Sequence, residues 1–321
     1  MKTDKTLGIL FLGGAKRVSI GRMFLRAARE RGYDCKIYSY EINGRVPIAE
    51  IATVIKGLRW NDPEIYSDLS TTVDSYGIDI IVPFVDGAVG VAAEFAARFP
   101  DKVFVPASGR ELSELMFDKV AAASFFEALN IAVPATYHPG DPCLRLIAKP
   151  RKGSASKGIA AINTLEQLDT YLSQGDNFLI QERIDNREEF SVDCYVDTRD
   201  GKILAVSPRK RLEVVGGEAS STITVDNPAL TALARNVLAT TGLRGAVTLQ
   251  FIHDLDNGRM LLMEINPRLG GACVCSVHAG CDIPAMIIDE ASGVETVPAS
   301  PVPGVEIARY MQEVVFYPDN N

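Results

Sequence analysis

Leu261-Leu262-Met263-Glu264-Ile265-Asn266-Pro267-Arg268-Leu269-Gly270-Gly271 is the stretch from which the chain can be read. As a strand it turns Glu264 and Asn266 to one face and Met263 and Ile265 to the other, so two hard oxygen ligands stand side by side. An alternating strand usually shows its polar face to water. This one leads straight into Pro-Arg-Leu-Gly-Gly, which suits a close approach better than solvent. Fourteen residues before Glu264, Gln250 lies in a second apolar run, Ala246 to Ile252, across a turn containing Asp256-Asn257-Gly258. Facing residues of an antiparallel pair share a face, so pairing Gln250 with Glu264 centres the hairpin on Asn257. That predicts an odd-length loop, most simply three residues with Gly258 left-handed. A two-residue Asn-Gly turn would put them on opposite faces.

Upstream, residues 145–165 hold five basic side chains, Arg145, Lys149, Arg151, Lys152 and Lys157, and no acidic one. Lys149 ends the apolar segment Leu146-Ile147-Ala148, and a loop with Gly153, Ser154, Ser156 and Gly158 follows. Glycine and serine let backbone N–H groups approach phosphate oxygens, and a lysine at a strand end supplies a point charge. The G-x-x-x-x-G-K-[ST] pattern is not matched, which excludes a Walker-type loop. Taken alone, the segment reads as a solvated basic loop more readily than as a phosphate site. Between these regions Glu189 to Asp197 alternates, with Phe190, Val192, Cys194 and Val196 inward and Glu189, Ser191, Asp193 and Tyr195 on the other face. Arg209-Lys210-Arg211 cannot all share one face, so at least one turns inward. Asp118 caps a helix from Lys119 to Leu129, Thr164 and Gln167 form a capping box, and Asn227-Pro228 open a long amphipathic helix.

The first third alternates strand and helix. Leu7–Leu12, Cys35–Tyr40 and Ile78–Phe84 read as strands, with helices at Ile20–Arg31 and Gly90–Arg98 between or after them. That rhythm implies a parallel sheet with helices on its faces. Glu41 after the second strand admits a dinucleotide site, although Gly13-Gly14 with Gly21 is not G-x-G-x-x-G. A length of 321 residues allows about two domains. With 33 Lys plus Arg against 41 Asp plus Glu, the net charge of -8 argues against a general binder of nucleic acid or of anionic membranes. The apolar stretch Ile78–Phe99 is broken by Asp79, Pro83, Asp86 and Glu94 and cannot span a bilayer. Leu7 to Ala15 lacks a cleavage site and reads as a strand, not a signal core. Six scattered cysteines suit a reducing cytoplasm better than a disulfide framework.

Taken together, these segments resemble the ATP-grasp carboxylate-amine ligases, most closely one synthetase module of the carbamoyl-phosphate synthase large subunit. The resemblance covers nearly the whole chain. It rests on Asp118-Lys119, Ile147-Ala148-Lys149-Pro150-Arg151 with the 153–158 loop, Gln181-Glu182-Arg183-Ile184, Glu189, Gln250 and Glu264-Ile265-Asn266-Pro267-Arg268 in that order. It implies an α/β plus α+β fold: a Rossmann-like pre-ATP-grasp domain over 1–106, then an ATP-grasp domain over 107–321. The latter divides into a small subdomain at about 115–182 and a large one at about 183–321. ATP would lie between the subdomains.

Carried over residue by residue, the resemblance implies that Lys119 and Lys149 meet the ATP phosphates, and that Gly153, Ser154, Ser156 and Gly158 form a loop closing over them. Gln181, Glu182 and Ile184 would hold the adenine and Glu189 the ribose. Gln250, Glu264 and Asn266 would bind one or two Mg²⁺ ions, with Mn²⁺ as a substitute. Arg268 would face the transferred phosphoryl group, and Arg209 and Arg211 would clamp an anion or the substrate. The implied reaction phosphorylates a carboxylate and joins the acyl phosphate to an amine. Small-molecule carboxylates and amines would be the partners, with no nucleic acid or membrane, and a homodimer is admitted. Lys16, Arg17 and Asp86 would contribute to the substrate pocket. Many relatives carry a carboxylate where Gln250 stands, although the carbamoyl-phosphate synthase branch uses glutamine. One module alone would not perform that enzyme's two phosphorylations. The rival readings are a non-catalytic nucleotide-binding regulatory protein and an NAD-dependent enzyme. Cys273, Cys275, His278 and Cys281 have a spacing drawable as a zinc site, but packing is the favoured reading.

Overall fold

The computed structural model describes residues 5–141, 145–153 and 157–318. Strands β1 (Lys5–Leu12), β2 (Tyr33–Glu41), β3 (Thr53–Lys56) and β4 (Ile80–Pro83) form a parallel sheet in the order β3-β2-β1-β4. Its helices are α1 (Val18–Glu30), α2 (Ile65–Tyr76) and α3 (Asp86–Arg98). Both faces of β1 are buried, Ile9 and Phe11 against α1 and Leu10 and Leu12 beneath α2 and α3, which is why its sequence is a continuous apolar run rather than an alternating one. The short edge strand β3 and helix α2 were not anticipated. β3 is four residues of half-exposed chain and carries little periodic signal.

After α4 (Arg110–Phe117) and α5 (Lys119–Ala128) comes a small antiparallel sheet, β6-β5-β7, built from β5 (Leu146–Pro150), β6 (Ala160–Ile162) and β7 (Phe178–Glu182) and covered by α6 (Leu165–Leu172). Asp118 accepts from the Ala121 N–H and Thr164 from the Gln167 N–H, as expected of N-caps. A six-stranded antiparallel sheet follows, in the order β12-β11-β8-β9-β10-β13. Its strands are β8 (Arg187–Val196), β9 (Ile203–Val215), β10 (Glu218–Thr224), β11 (Gly245–Asp254), β12 (Met260–Asn266) and β13 (Glu306–Ala308). Helix α7 (Pro228–Thr241), capped by Asn227, packs its apolar stripe with α4 and α5 on one face.

The other face of this sheet is not wet where alternation would put water. Helices α8 (Val274–His278) and α9 (Ile283–Ala291) cover it, so Tyr195, on the expected polar face of β8, is fully buried in the core shared by α1 and α9. The Tyr195 hydroxyl donates to Glu290 at 2.7 Å, which satisfies it there. Arg26 and Arg31 of the first sheet's helical layer pair with Asp282, the N-cap of α9, and Asp289 within it, joining that sheet to the large one. Among the described residues no helix is long and apolar enough to cross a membrane.

Candidate functional site

A cleft of about 670 Å³ opens between the small and large sheets, with α5 along one wall. Lys149, on β5, is only 7% exposed and donates to Gln181 Oε1 at 2.9 Å. Gln181 in turn donates to the Pro134 carbonyl, so it orients the lysine and cannot itself turn into the cleft without leaving a buried group unpaired. Burial, aided by Lys119 and Arg187 and opposed by Glu264 and Glu189, pushes the Lys149 amine down to about 8. Lys119, the first residue of α5, donates to the Gly153 carbonyl at 2.7 Å. Arg151 grips both oxygens of Asp118, fixing the end of β5 to the start of α5 so that both lysines face one space. Gly153 and Gly158 have φ of 147° and 74°, which glycine tolerates and other residues resist. Ser154 and Ser156 lie outside the described residues.

The expected three-residue hairpin loop is not found. Asp254 N–H donates to the Arg259 carbonyl, leaving the four residues 255–258 at the tip, with Gly258 left-handed at φ 71° as anticipated. An even loop would turn Gln250 and Glu264 to opposite faces. A register shift supplies the missing odd residue: Phe251 pairs with Leu262, yet Gln250 pairs with Glu264, so Met263 is the extra residue of a bulge. The two oxygen donors face each other by a different device from the one the turn suggested.

The polar face of β8, β9, β11 and β12 therefore gathers Glu189, Arg211, Gln250 and Glu264 around the cleft. Arg211 donates to Glu189 at 3.0 Å, to Gln250 Oε1 at 3.3 Å and to the Gly217 carbonyl at 2.9 Å. Asn266 donates to Glu264 at 2.7 Å, and its own Oδ1 accepts from Arg268 at 3.0 Å. Arg268 also binds Asp86, at the start of α3, through Nε at 2.8 Å, so a residue of the parallel sheet's domain is hydrogen-bonded into the row Arg268, Asn266, Glu264. Asn266, Arg268 and Gly158 lie next to the cleft lining without being part of it.

Arg209 and Glu182, like Gln181, are engaged with other protein groups. Arg209 is 2% exposed and paired with Asp193, which also accepts from Ser276 and Thr248, so its guanidinium is sealed under α8 and does not reach the cleft. Glu182 lines the cleft, but Arg259 holds its two oxygens at 2.9 and 2.8 Å and the Ala135 N–H donates to one of them. Despite burial, these donors keep its carboxyl below the usual range. Beside it, Ile184, Ile252, Leu261 and Met263 form a small apolar cluster that suits a flat ring. Arg187 and Arg259, which fix Glu189, the Ile184 carbonyl and Glu182, were missed because neither sits in a recognisable pattern.

Glu41 accepts from Ser39 Oγ at 2.7 Å, and burial pushes its carboxyl up, opposed by Ser39 and by the nearby backbone N–H groups of Ala15 and Gly14. Cys273 and Cys281 belong to the apolar core between α1 and α9, while the Cys275 thiol donates to the Val305 carbonyl.

Residues 174–313 match a family model described as ATP-grasp in the biosynthetic pathway with Ter operon. No curated protein matches the chain in sequence. Among solved structures, the biotin carboxylase domain of Hydrogenobacter thermophilus 2-oxoglutarate carboxylase, bound to MgADP, ADP and bicarbonate, superposes with a TM-score of 0.70 at 17% identity, over 89% of this chain and 69% of that one. Staphylococcus aureus N5-carboxyaminoimidazole synthetase complexed with ADP gives a TM-score of 0.70 at 17% identity over 96% and 82%. An L-amino acid ligase from Bacillus licheniformis gives 0.67 at 15% over 91% and 75%. With these likenesses and the cleft between its small and large sheets, the chain is an ATP-grasp-fold protein.

Proposed function

We propose that this protein is an ATP-dependent carboxylate-amine ligase. The observation that carries the reading is the convergence, in one cleft between two sheets, of the cations Lys119 and Lys149 with the oxygen donors Glu264 and Gln250. A triphosphate leaves water only where such charges neutralise it. Lys149 and Lys119 would bind its phosphates, the 153–158 loop would cover them, and the Ile184–Ile252 cluster with the adjacent backbone would seat the base. Glu182 is better suited to holding Arg259 than to touching the base. Glu189 would accept from the ribose hydroxyls.

The donor set suits Mg²⁺: Glu264 is a hard oxygen ligand, Gln250 faces it across the strand pair, and Asn266, whose amide nitrogen donates to Glu264 while its Oδ1 accepts from Arg268, would offer that oxygen to the ion. Bound there, the ion would shield the β and γ phosphates, and Mn²⁺ would be an admissible substitute. Arg268, held by Asp86, would stabilise charge on the transferred phosphoryl group as the substrate carboxylate attacks it. An amine would then displace phosphate from the acyl phosphate. Arg211 would keep Glu189 and Gln250 in place, and Arg209 is proposed as a structural residue rather than a clamp. The proposed domain limits are those of the three sheets, with the break near residue 106. The proposed setting is the reducing cytoplasm, with small-molecule substrates.

The test is phosphate release from ATP across paired carboxylates and amines, with hydroxylamine present to trap an acyl phosphate. A hydroxamate formed only with ATP, metal and one class of carboxylate is expected. Tight Mg-ATP binding with no turnover on any pair would favour the regulatory reading.

A further inference from the structure

Gly270 and Gly271 follow Arg268, and the structure shows what approaches them. A Cβ on Gly271 would lie 2.7 Å from a Glu218 carboxylate oxygen and 2.9 Å from an Arg17 guanidinium nitrogen. Glu218, the first residue of β10, accepts from Arg17 Nη2 at 3.3 Å and from Arg309 Nη1 at 2.7 Å. Two segments far apart in sequence therefore meet on one glycine, the turn before α1 and the start of β10, and the residue after β13 joins them through Glu218. The group holds two cations and one anion, and the anion is the most exposed member, 46% against 13% for Arg17 and 33% for Arg309. Burial disfavours the Glu218 carboxylate, yet the two arginines outweigh it and keep the carboxyl below its usual range. Gly271 is three residues from Arg268, so at most about 10 Å of backbone separates this group from the proposed reacting centre.

We propose that Arg17 and Arg309 receive a carboxylate group of the substrate, and that Glu218 stands in for that group until it is displaced. The inference rests on the ligase reading and narrows its substrate. Guanidinium forks match carboxylates in shape and charge, and removal of Glu218 from between them leaves two unneutralised cations, Arg309 partly exposed and Arg17 largely buried. A half-exposed ion pair is weakly held, so its exchange for a ligand carboxylate costs little. The carboxylate received here is in addition to the one that is phosphorylated. It belongs either to the acyl donor, which is then a dicarboxylate, or to the amine, which is then an amino acid.

The two sources separate in a calorimetric titration of succinate and of L-alanine into the full chain with Mg-ADP present and ionic strength matched with sodium chloride. The wild type, Glu218→Gln and the double variant Arg17→Ala/Arg309→Ala are compared. Glu218→Gln is expected to tighten one probe by about three- to tenfold, since it removes the internal competitor. The arginine variant loses that binding, and Mg-ADP affinity is unchanged in all three. Tightening of succinate assigns the group to the acyl donor, and tightening of L-alanine assigns it to the amine. A purely structural tie predicts the opposite sign, so weaker or unaltered binding of both probes in Glu218→Gln overturns the proposal, as does unaltered binding in the arginine variant. If Mg-ADP fails to bind, the ligase reading falls, while the same probes titrated without nucleotide still decide the role of Glu218.

Discussion

Arg209 and Arg211 leave the same face of β9 two residues apart and meet opposite surroundings. Arg209 lies where α8 covers the sheet, and Asp193, Ser276 and Thr248 close the space around the pair. Arg211 lies farther along, where the face opens into the cleft, and its partners Glu189 and Gln250 line that cleft with it. Strand alternation treats the two arginines alike; the cover above them separates their roles. The sealed end is a structural ion pair, costly only when broken. The open end keeps polar groups beside a space large enough for a nucleotide.

That contrast breaks most visibly at Asp193. Asp193→Ala strands the Arg209 guanidinium in the interior, and chemical denaturation is expected to show a loss of about 3–5 kcal/mol. Arg211→Ala is expected to cost only about 1 kcal/mol in the same experiment, because cleft water solvates the groups left behind, while weakening Mg-ATP binding roughly tenfold. Equal stability losses at the two positions would dissolve the distinction.

Lys149 sharpens the comparison through pH. Its folded value of about 8 lies below its ordinary 10.5, so on raising pH the folded protein releases this proton first. Between those values the unfolded chain binds more protons, and the contribution of Lys149 to stability rises with pH. Nucleotide binding runs the other way, because phosphates require the ammonium: Mg-ATP affinity is expected to be about tenfold weaker at pH 9 than at pH 7. Calorimetry across that range checks it, and Lys149→Gln should flatten the profile.

The smallest effect is expected at Glu182. Glu182→Gln loosens the grip on Arg259 and should cost about 1 kcal/mol in stability, with the preference for adenine over guanine nucleotides unchanged. A shift in base preference, measured by competition binding, would mean that the carboxylate itself touches the base.

Much of this arrangement was legible from local pattern. The parallel sheet followed from apolar runs punctuated by helices, and Lys149 and Glu264 could be singled out because each ends or alternates within a short strand, whereas Lys119, at a helix start, rested on the resemblance alone. What was not legible depends on contacts between distant segments. The bulge at Met263 leaves no mark in composition, so the loop length was misjudged although the Gln250–Glu264 facing was right. The burial of Tyr195 and Arg209 is decided by α8 and α9, which lie some 80 residues downstream of β8 and present no marked amphipathic stripe. The Gly270-Gly271 pair announced a close approach without saying to what. The answer, Arg17 with Glu218, joins residues 201 positions apart.

The central claim is that the cleft between the small and large sheets binds Mg-ATP through Lys149, and thermal unfolding tests it directly. A ligand that binds only the folded state at about 100 times its dissociation constant adds about 2.7 kcal/mol of stability. The account predicts a raised Tm with Mg-ATP, none with NAD, and loss of the Mg-ATP effect in Lys149→Ala. Protection by NAD, or Mg-ATP protection that survives Lys149→Ala, would contradict it.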